Sequence, residues 1–89
     1  MACPATILDL SDRVVMRGKT VDISAGGVRV LGPAKAPPKA GTQVKVIIDL
    51  PVPKSSKKRQ VERQATIRRV DPMGEWTAVA LEFTSLVDL

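Results

Sequence analysis

Thr20-Val21-Asp22-Ile23-Ser24-Ala25-Gly26-Gly27-Val28-Arg29-Val30-Leu31 holds two β-prone runs around a short polar, glycine-containing break. Thr20 to Ile23 and Val28 to Leu31 are rich in β-branched residues, which favour a pleated surface. The paired glycines predict a tight turn over Ser24 to Gly27, because glycine takes positive φ without a steric penalty. The stretch therefore predicts a hairpin, and the rest of the chain continues in the same style.

Upstream, Thr6 to Leu10 is a short β-prone run, Ser11-Asp12 is a turn, and Val14-Val15-Met16 leads through Arg17-Gly18-Lys19 into the hairpin. Downstream, Gly32 to Gly41 contains three prolines and two glycines and is predicted to be loop. Gln43 to Leu50 alternates with period two, so Val44, Val46, Ile48 and Leu50 share one face. Pro51 and Pro53 stop it, and Lys54 to Arg59 reads as a basic turn, with Lys57-Lys58-Arg59 a solvated loop. Val61 to Val70 alternates again with Val61, Ala65 and Ile67 on one face. Asp71-Pro72-Met73-Gly74 is a turn, and Glu75 to Phe83 is a final strand facing Val79, Leu81 and Phe83 inward. Trp76 has the opposite parity, with core filling the expected role. Thr84 to Leu89 is expected to begin a helix, capped by Thr84 or Ser85. About six short strands predict an all-β fold, a small antiparallel β-barrel or sandwich, and closure is favoured because it removes exposed edges.

Composition narrows the function. The chain has 89 residues, enough for one small domain with a single core. It has no His, so His triads, His metal sites and imidazole acid–base pairs are excluded. Its one Cys, Cys3, can form neither an internal disulfide nor a thiolate cluster, which points to a reducing, cytoplasmic setting. No apolar run approaches the roughly 18 residues of a membrane span, and Met1-Ala2-Cys3-Pro4 lacks a signal-peptide layout. The net charge of +5 favours an anionic partner or simply maintains solubility. Aromatic residues make up 2%, too few for the base stacking typical of nucleic-acid-binding barrels, so nucleic acid is not the expected partner. No metal or cofactor motif occurs, and nothing pairs two carboxylates for catalysis, so an enzyme is not expected.

The chemistry sits in Asp22-x-Ser24-x-x-Gly27. Residues two apart on a strand share a face, so the carboxylate and hydroxyl emerge together. With exposed backbone amides they can converge on a polar ligand: a carboxylate accepts two N–H bonds from a guanine edge, and a hydroxyl or amide meets a phosphate oxygen. An ordinary β-turn capped by Asp and Ser accounts for the same residues on local chemistry alone.

Val21 to Val28, with Gly26 beside Gly27, resembles the signature of PilZ domains. Pro4 to Leu8 is similar to that family's first strand, and Gly41-Thr42-Gln43-Val44 resembles its entry to a central strand. Ala65 to Val70 with Ala78 to Phe83 looks like its closing hairpin, and Phe83 followed by Leu86 resembles the lead-in to its C-terminal helix. The resemblance implies a six-stranded antiparallel barrel, one PilZ-like domain over 1–89 that could be a piece of a longer protein, and cyclic di-GMP as ligand without a metal. It implies Asp22, Ser24, Gly26 and Gly27 as ligand-binding residues, and Arg69 as a further contact whose plain alternative is a surface charge. It implies, too, a neighbouring domain or protein of a bacterial motility, biofilm or exopolysaccharide system as partner.

The family also carries an R-x-x-x-R pair before its first strand, suited to clamping phosphates and stacking on guanine. Here Arg13 and Arg17 have that spacing but follow the first strand. In an unbroken strand they face away from Asp22 and Ser24 unless a bulge at Gly18 reverses them. Two readings stay open: an arginine pair lies upstream in a longer parent, giving a receptor, or the domain is a non-binding protein–protein adaptor.

Overall fold

A computed structural model describes residues 2–33, 38–51 and 58–84. Alternating hydrophobicity builds six strands: β1 (Pro4–Leu8), β2 (Val14–Ile23), β3 (Gly27–Pro33), β4 (Gln43–Pro51), β5 (Lys58–Met73) and β6 (Trp76–Phe83). They close into a barrel in the order β1-β2-β3-β6-β5-β4, with every neighbouring pair antiparallel and β4 returning to β1. The expected all-β barrel is thus the observed one, and the described residues contain no helix. The helix expected from Thr84 falls mainly on residues 85–89, outside the described ones.

The inward faces make the core. Val44, Val46 and Ile48 are buried and Leu50 packs against them, as their alternation requires. Ala65 and Ile67 of neighbouring β5 and Val79, Leu81 and Phe83 of β6 continue this layer, and Ile7, Met16, Val28 and Val30 fill the remainder. At about 25 cal/mol per Å² of apolar surface, each fully buried Val or Ile contributes roughly 1.5–3 kcal/mol, which makes this layer the main stabilising term. The buried Thr20 hydroxyl accepts the Cys3 N–H at 2.9 Å, and the Thr20 N–H donates to the Cys3 carbonyl at 2.8 Å, tying the start of the chain to β2.

Several local expectations change. Asp71-Pro72-Met73 is strand, paired with Ala78, Thr77 and Trp76, and the turn shrinks to Gly74–Glu75. Pro72 is admissible there because β4 pairs only with Lys58 to Thr66, leaving one edge of β5 open. Lys58 and Arg59 likewise belong to β5 rather than to a basic loop, because Pro51 and Leu50 pair with them; Lys57 lies outside the described residues. Trp76 is not core filler: outward parity leaves it 51% exposed.

The Ser24–Gly27 turn forms, but neither glycine has positive φ. Gly27 is required for a different reason. A Cβ there would lie 2.3 Å from the Leu81 carbonyl oxygen, so β3 could not approach β6 as closely. At Gly26 a Cβ would meet nothing within 4 Å.

Beside an irregularity at Val15, between β1 and β2, two bulges decide which side chains reach the surface around the hairpin. Thr20 pairs with Val30 and Asp22 with Arg29, so Val21 is the extra residue on β2. Ile67 pairs with Leu81 and Arg69 with Ala80, so Arg68 is the extra residue on β5. A bulge puts two consecutive residues on one side. Val21 and Asp22 are accordingly both exposed, as are Arg68 and Arg69, while Ile23 and Val70 turn back to the core.

Candidate functional site

The bulge on β2 turns Asp22 outward, and the hairpin places Ser24 beside it. The Ser24 N–H donates to the Gly27 carbonyl at 2.9 Å, and the Ser24 hydroxyl makes a longer bond of 3.4 Å to the same oxygen. The Gly26 carbonyl accepts the Phe83 N–H at 2.9 Å, so the turn is pinned to β6. Among the described residues, the Ala25 and Gly26 N–H groups donate to no acceptor, and the Asp22 carboxylate has no hydrogen-bond or ion-pair partner. Carboxylate, hydroxyl and two backbone donors are thus presented together at the end of one hairpin.

An open hollow of about 250 Å³ adjoins them, lined by Asp22, Ser24, Gly27, Arg29 and Ala80 among others. Register explains its outline. Asp22 pairs with Arg29, Arg29 with Ala80, and Ala80 with Arg69, giving one outward row across β2, β3, β6 and β5. Ala80, small and half-buried, leaves low ground between the two arginines. The volume is slightly below the usual ligand-site range of about 300–1,000 Å³, so the hollow suits one portion of a larger ligand lying across this row.

The cations around it are not equivalent. Arg68 donates through Nε to Glu82 at 2.6 Å, which holds the Glu82 carboxyl below the usual carboxylate range and raises Arg68. Arg69 donates through Nε to Asp71 at 2.8 Å, on an exposed surface where such a pair is weak and exchangeable. Arg29 has no ion-pair partner among the described residues and lines the hollow itself.

The structure brings together Asp22, Ser24 and Gly27 around the hollow, and sets Gly26 in the adjoining turn. Arg69 stands two strands from Arg29 in the same row. Arg13 is not brought there. It lies in the β1–β2 turn, with its N–H donated to Asp9 Oδ1 at 3.0 Å. That is the far end of a ten-residue strand, about 30 Å from Asp22 at 3.3 Å per residue. Arg17 does share the outward face of Asp22, through the bulge at Val21 rather than at Gly18, yet it lines a separate groove. Sequence reading passes over Arg29. Its signal is present: alternation between buried Val28 and Val30 points it outward, directly after the motif.

The PilZ domain family model matches residues 1–88. Among solved structures, the chain is similar to the Bacillus subtilis inhibitor of motility, MotI/DgrA, with a TM-score of 0.74 and 27% sequence identity. The match covers 98% of this chain and 40% of that one, so the chain spans well under half the length of that protein. No curated protein sequence matches the chain.

Proposed function

Because the chain belongs to the PilZ domain family, we propose that it is a cyclic di-GMP receptor domain whose nucleotide site is the Asp22–Ser24–Arg29 hollow. PilZ domains are generally receptors for this second messenger. The observation that carries the reading is the exposed Asp22 carboxylate, unpartnered among the described residues, on the residue that pairs with Arg29 and beside two donor amides of the turn.

The mechanism is recognition without chemistry. Asp22 accepts N–H bonds from a guanine edge. The Ala25 and Gly26 amides and the Ser24 hydroxyl hold sugar–phosphate oxygens, with Gly27 keeping the turn against β6. Arg29 and Arg69, planar and always charged, pair with the two phosphates from the barrel wall. Arg69 would exchange Asp71 for phosphate, a cheap exchange at an exposed pair. Arg13 and Arg17 have no part in this site, so any further arginine clamp would come from sequence outside 1–89. A single domain of this kind transmits nucleotide level by favouring one arrangement of an attached domain or partner protein. The similar inhibitor of motility makes a cytoplasmic partner in motility control the proposed output.

Titration calorimetry with cyclic di-GMP tests it, on this chain and on any longer parent protein. Losing one charge-assisted hydrogen bond costs about 1.5–3 kcal/mol, so Asp22→Ala weakens binding about ten- to a hundred-fold. No heat with either protein, at concentrations where a control receptor binds, refutes the reading. A second reading, a PilZ-fold adaptor that binds no nucleotide, is favoured by the distance of Arg13 and Arg17 from the hollow. It predicts a protein partner recovered equally with and without the nucleotide.

A further inference from the structure

A second concavity, about 740 Å³ and predominantly apolar, lies on the same strand as the hollow but on the other side of the Val21 bulge. Val21, Leu31, Met73 and Trp76 line it. Three of these are more than half exposed: Val21 57%, Met73 56% and Trp76 51%. Leaving that much large apolar surface in water is unfavourable, and such patches with polar rims mark interaction sites. The rim is Arg17 and Lys19, successive outward residues of β2, and no Asp or Glu is among the described residues lining the groove.

From this pairing of an apolar floor with an uncompensated cationic rim, we infer that the groove docks an acidic amphipathic segment of another protein. Apolar anchors of that segment would fill the space beside Trp76, and its Asp or Glu residues would meet Arg17 and Lys19. Charge argues against a second copy, since each chain carries +5. Shape argues against a bilayer, since a concave groove receives protruding side chains rather than a flat surface. The inference stands apart from the nucleotide site, because Asp22 does not line this groove.

Trp76 is the only tryptophan, so its emission reports on the groove directly. The probes are short synthetic peptides with Leu or Phe anchors at i, i+3 and i+7 among Glu residues. Controls are the same apolar pattern among Lys residues, an acidic peptide without anchors, and vesicles of anionic phospholipid. The expected result is a blue shift of Trp76 emission with the acidic amphipathic peptides only, weakening as salt rises. Polarisation of a labelled peptide should show binding about ten-fold or more weaker in Trp76→Ala, and about five-fold weaker in Arg17→Glu/Lys19→Glu. Asp22→Ala should bind the peptides as the parent does, which separates this site from the nucleotide site. Equal binding of the Lys peptide, a shift seen only with vesicles, a shift that follows protein concentration alone, or no shift at all would each overturn the assignment.

Discussion

The two concavities on β2 share a strand yet differ in nearly every property that governs recognition. The hollow at Asp22 is small and polar and has backbone donors at its rim. The groove at Trp76 is three times as large by volume, about 740 against 250 Å³, and apolar. One extra residue separates them. Val21 and Asp22 emerge on the same side because of the bulge, one feeding the groove and the other the hollow. Each concavity also includes a glycine where two backbones press together: Gly18 would put a Cβ 2.3 Å from the Leu31 carbonyl oxygen, and Gly27 one 2.3 Å from that of Leu81. The lesson is that a barrel wall acquires distinct surfaces through local departures from regular pairing.

The largest effects are expected at the two glycines. Gly18→Ala and Gly27→Ala should each cost about 1–3 kcal/mol in chemical denaturation, since backbone rather than a side chain must yield. Gly26→Ala, with open space around it, should stay within about 0.5 kcal/mol of the parent. Equal stability of all three variants would mean that close strand approach does not define either concavity. Next comes a double dissociation. Asp22→Ala should weaken nucleotide binding and keep peptide with stability changed by less than about 0.5 kcal/mol, since its side chain is exposed, whereas Trp76→Ala should do the reverse at a cost of about 1–3 kcal/mol, since half of its ring is buried. Loss of both ligands in either variant would make the two concavities one site.

The smallest effect lies beside the hollow, at Arg68–Glu82. Arg68 lowers the folded-state pKa of Glu82, so the pair's contribution is complete above the unfolded carboxylate's pKa and disappears as pH falls through the lowered folded value. Glu82→Gln should therefore lower stability slightly at neutral pH and match the parent below the carboxylate range, so that its acid-induced loss is smaller by that same small amount. Thermal melts between neutral pH and pH values below the carboxylate range measure it. An undiminished acid dependence would remove the Arg68–Glu82 pair from the account of acid sensitivity.

Much of the barrel was legible in the sequence because burial of one sheet face imposes a period of two. Val44, Val46 and Ile48 face inward as their spacing requires, and so do Val79, Leu81 and Phe83. The hairpin and the pairing of Asp22 with Ser24 were legible for the same local reason. Parity fails where a bulge intervenes. It set Arg17 opposite Asp22, and the extra residue at Val21 returned the two to one face. It placed Trp76 outward correctly, but core packing was expected for so large a side chain, and the groove leaves it exposed. Positive φ was the reason expected for the paired glycines, whereas the contact that demands Gly27 comes from β6, more than fifty positions away.

Strand faces and the hairpin motif follow from residues near one another in the chain, since alternation and turn chemistry are local. The company Asp22 keeps does not. Arg29, Ala80 and Arg69 stand beside it only through the registers of β2, β3, β6 and β5. Those registers are set by packing around a shared core, which no single segment specifies alone.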